Sequence, residues 1–448
     1  MKTDKYRRLL SCCPSLLDAA DKTANDKNGA LQNNIPAQVT AYVTAPVLFC
    51  YVCYILDSVK KNNINRIFFL SRDGYILKQI ADIIIERKKL KIQTSYLYVS
   101  RYSLRNALYY KCETAEDFEN AGLFTGYTLK SAKNFLKRAG LNDCQRVEVY
   151  KEIGFSDDEN KDLGDSEYSA FCEKIKNDPA LLCKIKNNSE NNYHNIMKYF
   201  EQSGLFEKGK IAVVDSGWMG TVQKTLTALV NGRTDENIIG YYFGLYRRED
   251  DNYKAFLFDV TDAYKYVPTF CNNLFECFCS APHGMTTGYR ECDGKIIPVL
   301  SDANAEMVKM AEIQTKTAVR FTEYACKNEN YIPICKMRDI SAGLLKALMY
   351  KPDKQEAEIL GAFPFSDDVT EAKIQRLAGN CKGSISNILL PVRIIRKKKG
   401  KSIYPDKYIY WLYGSIVLTG CKPAWVYRLS VREWERLRLL RERRKLCR

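Results

Sequence analysis

The stretch KIAVVDSGWMGTVQKTLTA, residues 210–228, passes from an apolar run to a turn of small residues and then to a helical segment. The apolar run, 211–214, predicts a short buried strand. Asp215 ends it. Ser216, Gly217, Trp218, Met219 and Gly220 predict a small-residue loop, and Thr221 opens a helix. Such an arrangement favours an anion, because the N–H groups of the loop and of the first helical turn converge on one phosphate. Gly217 and Gly220 permit close backbone approach or positive φ. Asp215, at the strand end, is placed for hydroxyls or a metal ion. An ordinary βα unit of an α/β protein has the same outline.

A second unit of this kind precedes it. The run RIFFL, 66–70, predicts a buried strand ending in Ser71, Arg72, Asp73 and Gly74, with a helix over 75–86. Arg72 offers a guanidinium fork to an anion; the alternative is a tight βα turn with a surface ion pair. A third strand, 95–99, ends in Ser100 and Arg101, and Arg105 shares a helical face with Arg101. Cations beyond the carboxyl ends of strands fit the place where open α/β sheets hold ligands; the alternative is a solvated face. With a helix over 39–60, the order predicts an α/β fold with a doubly wound, mainly parallel sheet.

Composition bounds the rest. The 448 residues are 46% hydrophobic, which predicts a globular chain of two or three domains. A net charge of +16 points to an anionic partner. The 17 cysteines lack zinc-ribbon spacing, and Cys50 and Cys53 lie in an apolar helical run, where core packing is the expectation. Residues 1–14 are charged and lack a signal-like apolar run, so the reading expects a cytoplasmic protein with reduced thiols.

The domain reading has four parts. Residues 1–40 are a peripheral helical arm ending in a polar segment. Residues 41–295 are the α/β core, with a helical insertion over 113–205 in which His194 is structural or on the surface rather than a ligand. Residues 296–390 are helical. Residues 391–448 form a basic amphipathic segment: a linker, PVRIIRKKKGK, then an apolar run over 408–418 too short to span a bilayer, then a tail from 428 with nine basic and three acidic residues. In that tail Val431, Trp434, Leu437 and Leu440 recur at helical spacing. This suits an anionic membrane surface, with docking on the core as the alternative. Within LFECFCSAPHGMTTGY, 274–289, Glu276 and His283 are the candidate groups. His283, between Pro282 and Gly284, is read as general base, hydroxyl ligand or turn-stabilising hydrogen bonder.

FFLSRDGYILKQIAD resembles the pyrophosphate loop of type I phosphoribosyltransferases, and IAVVDSGWMGTVQKTL resembles their phosphoribosyl-diphosphate (PRPP) signature. The ordered set FLSRDG, YVSR, VVDSGWMGT and E-x-x-x-x-APHG looks more specifically like the phosphoribosyltransferase modules of bacterial polysaccharide clusters, which make ribofuranose-containing glycans. The resemblance covers residues 40–290. It implies a fold of the type I kind and transfer of 5-phosphoribosyl from PRPP to a sugar hydroxyl of a growing capsular or O-antigen polysaccharide, with release of pyrophosphate. Arg72, Gly74 and Arg101 would meet the pyrophosphate, with Ser71 and Arg105 as further PRPP-binding candidates. Ser216, Gly217, Trp218, Met219, Gly220 and Thr221 would meet the 5-phosphate. Asp73, Asp215, Glu276 and His283 are the candidate catalytic groups, with Mg²⁺ as cofactor and Asp215 as its candidate ligand. Type I enzymes usually place two adjacent acids after the strand; here Ser216 stands in the second place, so Asp73 or Glu276 is a candidate to supply the missing acid. The implied partners are PRPP, a lipid-linked glycan acceptor on the cytoplasmic membrane face and a separate phosphatase, with no nucleic acid. Two rival classes are a haloacid-dehalogenase-like hydrolase, whose D-x-D motif the chain lacks, and a non-catalytic scaffold binding anions, nucleic acid or membrane.

Overall fold

The computed structural model describes residues 2–446 apart from 27–33, 126–129, 154–159, 235–236, 328–331, 367–373, 406 and 408. Most of the polar segment after the second helix, Tyr408 and the last residues of the tail therefore lie outside the described residues. Five strands, β1 (Arg66–Leu70), β2 (Gln93–Leu97), β3 (Ile211–Trp218), β4 (Ile239–Leu245) and β5 (Tyr253–Phe258), form one parallel sheet in the order β2-β1-β3-β4-β5. β1 is buried along its whole length, which is why its sequence is an apolar run rather than an alternation. Ile67, Phe69, Ala212 and Val214 face the helices Ala45–Lys61 and Gly74–Lys88. Phe68, Leu70, Ile211 and Val213 face the helices Arg101–Leu108, Pro179–Gln202 and Thr221–Val230. The sheet is thus doubly wound, and each fully buried aliphatic or Phe side chain contributes about 1.5–3 kcal/mol to holding its layers together.

Two assignments differ from the sequence expectation at the sheet. β5 is an additional strand for which the sequence carries no expectation. β3 does not end at Asp215 but runs on to Trp218, with Gly217 paired to Gly244 and Trp218 to Leu245. The stretch 216–218 that suggested a loop is strand, because two glycines let β3 and β4 approach there. A Cβ on Gly217 would stand 2.2 Å from the Gly244 carbonyl oxygen.

Residues 113–205 are largely helical, and Phe118, Phe135, Phe171, Ile175 and Ile185 give them an apolar core of their own. The N-terminal helices Asp4–Leu10 and Pro14–Ala24 are not peripheral: Tyr6, Leu10 and Leu16 lie in the main core. The Tyr6 hydroxyl donates to Glu356 Oε1 at 2.7 Å, and Lys5 Nζ meets Oε2 at 2.6 Å. The stretch Ile35–Lys61 is long and apolar enough to cross a bilayer, but 89% of its apolar window is buried inside the protein, so it serves as a core helix. Burial pushes the Cys50 thiol up and that of Cys53 up to about 12, which leaves both as packing groups.

The expected basic linker is the helix Leu390–Lys398. It docks through Arg393, which is fully buried with its guanidinium 5.3 Å from the Tyr404 ring centroid and 5.4 Å from that of Trp434. Within the run after it, Trp411 is buried and its indole donates to the Met349 carbonyl at 2.8 Å. The C-terminal helix Ala424–Leu446 packs on the protein through Val431 and Leu439. The stripe expected to face outward is therefore split, with Val431 buried and Leu437 exposed.

Candidate active site

The strand order reverses between β1 and β3, and the loops that follow these neighbours open a crevice at the carboxyl edge of the sheet. After β1, the Ser71 hydroxyl donates to the Val99 carbonyl at 2.7 Å and accepts from the Val99 N–H at 3.1 Å. Ser71 therefore ties the ends of β1 and β2 together. Arg72 and Asp73 follow, and Gly74 starts its helix against the strand; a Cβ there would lie 2.7 Å from the Phe69 carbonyl carbon. No side chain caps this helix.

The end of β3 supplies the facing residues. Asp215 accepts from the Ser216 N–H at 2.9 Å, and the Ser216 hydroxyl reaches across to donate to Asp73 Oδ2. The Trp218 ring packs among Phe258, Phe270 and Phe275, and its Nε1–H donates to Glu276 Oε1 at 2.6 Å. Trp218 is thus a core residue that holds Glu276, which comes from the helix Asn272–Phe278. The remaining loop is Met219, exposed, and Gly220, which has φ +65° and starts the helix Thr221–Val230 without a side-chain cap. The space beside Gly220 is taken: a Cβ there would stand 2.5 Å from the Tyr253 ring. What remains for an anion is the row of uncapped amides at the helix start.

Charge converges here. Burial pushes the Asp73 carboxyl up, against the Ser216 hydroxyl and the Arg72 and Arg101 cations, which pull it down. Asp215 is pushed well above the ordinary range by burial, then by the Asp73 and Glu276 charges, with the Ser216 N–H and Arg101 opposing. Arg101 is exposed at the start of the helix Arg101–Leu108, which Ser100 caps. Arg105 does not accompany it into the site: it packs against Gly122 of the insertion, where an added Cβ would stand 2.9 Å from Cζ.

His283 Nδ1 lies 2.8 Å from the Gly284 carbonyl oxygen, so Nδ1 carries the proton. Nε2, 2.8 Å from the Tyr96 hydroxyl, then accepts. Burial lowers its pKa, with the Gly284 bond opposing and Arg72 reinforcing. Of its three candidate roles, the turn-stabilising one matches this geometry, since both ring nitrogens are engaged. His194 is exposed, 3.9 Å from the Glu190 carboxylate.

A cavity of about 260 Å³ opens on Arg72, Asp73, Glu276 and His283. Its far wall, including Asp302, Asn304, Met307, Phe365 and Ile374, comes from residues beyond 295. No local pattern marks these residues, since their place follows from how the C-terminal region folds back on the sheet edge. A larger cavity, about 590 Å³ near Tyr264 and Arg432, includes none of the four candidate catalytic groups.

Among the described residues no three His, Cys, Asp or Glu side chains form a metal cluster. Asp73 and Asp215 nevertheless suit Mg²⁺, which commonly takes one or two carboxylates from a protein and the remaining ligands from water and substrate phosphate. The Asp73 charge adds to burial in raising the Asp215 carboxyl, and a cation held by the two would offset that repulsion. A scan against protein-family models gives no match, and a search of curated proteins gives none either.

Proposed function

We propose that the chain is a glycosyltransferase of phosphoribosyltransferase type, moving 5-phosphoribosyl from PRPP to a sugar hydroxyl of a growing polysaccharide with release of pyrophosphate. The observation that carries the reading is the meeting of Asp73 and Asp215 at the switch point between β1 and β3, beside two uncapped helix starts. In this reading Arg72, Arg101 and the amides at Gly74 receive the diphosphate, and the amides at Gly220 and Thr221 receive the 5-phosphate. Asp215 receives ribose hydroxyls. The acceptor sugar enters the cavity between His283 and Asp302. Mg²⁺, held by Asp73 and Asp215, would offset the diphosphate charge.

In the transfer, the bond from C1 to the diphosphate oxygen breaks and its electron pair leaves with pyrophosphate. The bond from C1 to the acceptor oxygen forms, and the acceptor proton passes to Glu276, the cavity carboxylate that would not hold the metal. The product keeps its 5-phosphate, which a separate phosphatase would remove. Calorimetric titration with PRPP and Mg²⁺ tests the reading. It expects binding that weakens markedly for ribose 5-phosphate, which lacks the diphosphate; heat-silent titration together with no protection against thermal unfolding would remove it.

A further inference from the structure

We infer that the helix Leu390–Lys398, together with the neighbouring face of the C-terminal helix, is a docking surface for anionic phospholipid. The inference is independent of the catalytic reading, and it moves the membrane contact expected from sequence off the Val431–Leu440 stripe.

Within the tail, part of the charge is compensated in place. Arg432 pairs with Glu433 at 2.7 Å, and Arg438 pairs with Glu435 and Glu442 at 2.9 Å each. The helix before it differs. Residues 391–401 hold six basic residues and no acidic one. Lys398, Lys399 and Lys401 are exposed and have no carboxylate partner among the described residues. Ile394 and Ile395 are 45% and 53% exposed on the same helix. At about 100° per residue, Ile394, Ile395, Lys398 and Lys399 fall on one side, opposite the buried Arg393. The first turn of that side is apolar and the last is cationic, which is the order an interfacial helix presents to acyl chains and lipid phosphates.

The surface continues into a groove of about 340 Å³ whose walls include Leu390, Ile394, Trp434 and Leu437, with Lys397 and Arg441 at its rim. Leu437 is 45% exposed. Arg393, stacked between Tyr404 and Trp434, fixes the helix on its neighbour. The apolar side chains are therefore held out by packing. Uncompensated lysines beside them match negative charge, and the isoleucines match hydrocarbon. Both requirements are met by an anionic bilayer, whereas a nucleic acid would have no use for the isoleucines.

The test is flotation of the full chain with vesicles of phosphatidylcholine containing phosphatidylglycerol, against phosphatidylcholine alone. Two variants are compared, Ile394→Ser with Ile395→Ser, and Lys398→Gln with Lys399→Gln and Lys401→Gln. All these positions are exposed, and unchanged thermal melting verifies each fold. The wild type should float with the anionic vesicles only. The lysine variant should bind on the order of 100-fold more weakly, and the isoleucine variant at least about tenfold more weakly. Inorganic phosphate should compete no better than chloride at equal ionic strength, which separates a lipid surface from a free-phosphate site. Wild-type protein that stays with the protein fraction, binding that survives both variants, or loss only in the lysine variant would overturn the proposal.

Discussion

The Ser216 hydroxyl donates a hydrogen bond to the Asp73 carboxylate, joining the carboxyl ends of β3 and β1 across 143 residues of chain. This bond favours the ionised form of Asp73, against the burial that disfavours it. Ser216→Ala should therefore raise the Asp73 carboxyl further. The acid limb of the pH–rate profile should move to higher pH, and kcat/KM on that limb should fall about tenfold, the worth of one hydrogen bond to a charged group. An unchanged profile would mean that Asp73 is not the titrating group.

Asp215 gives a prediction of opposite sign for stability and activity. Its folded carboxyl is raised above the ordinary aspartate value of about 3.9. A raised carboxyl contributes stability that is present below the unfolded value and lost as pH rises through the folded one. At neutral pH, above the unfolded value, the carboxyl is thus a burden on the fold. Asp215→Asn should melt at a higher temperature than wild type at neutral pH, with the gain vanishing below about pH 4, and should lose transferase activity. Equal melting curves at every pH would show that Asp215 is not held in this unfavourable environment.

The two central strands were legible in the sequence because a strand buried on both faces must be an apolar run, and RIFFL and IAVV leave little else. Asp73, Arg72 and Asp215 were legible for the same reason, since they follow such runs directly. What was not legible depends on partners distant in the chain. Ser216-Gly217-Trp218 has the composition of a loop, and only pairing with Gly244 and Leu245 makes it strand. Trp218 looked like a ligand contact because nothing local reveals the Phe258, Phe270 and Phe275 that enclose it. Arg393 sits in a run of charges that suggests a linker, yet its guanidinium is buried between two aromatic rings.

Arg72 lines the cavity beside Asp73. If its guanidinium meets the leaving diphosphate, Arg72→Ala should lose on the order of 3 kcal/mol of transition-state stabilisation, read as kcat/KM. Arg72→Lys should recover only part, because one ammonium cannot reproduce the fork. Turnover of the alanine variant within a factor of about two of wild type would leave Arg72 a structural role only.

Gly220 was expected to leave room for phosphate, but the Tyr253 ring fills that room. Gly220→Ala should therefore act first on the fold, costing about 1–2 kcal/mol for the left-handed backbone and more for the clash. Adding Tyr253→Leu should restore part of the lost stability, a coupling that urea unfolding of the two single variants and the double variant measures. Strict additivity would mean that the ring does not set the requirement for glycine.

The central claim is that Asp73 and Asp215 organise transfer from PRPP, and pyrophosphate release tests it most directly. The full chain would be incubated with PRPP, Mg²⁺ and a panel of soluble glycan acceptors, with both products resolved by mass spectrometry. The expected result is pyrophosphate and an acceptor heavier by one 5-phosphoribosyl unit, formed in equal amounts and lost in the Asp73→Asn, Asp215→Asn double variant. Undiminished product from that variant, or PRPP left intact while sugar phosphates release inorganic phosphate, would contradict it.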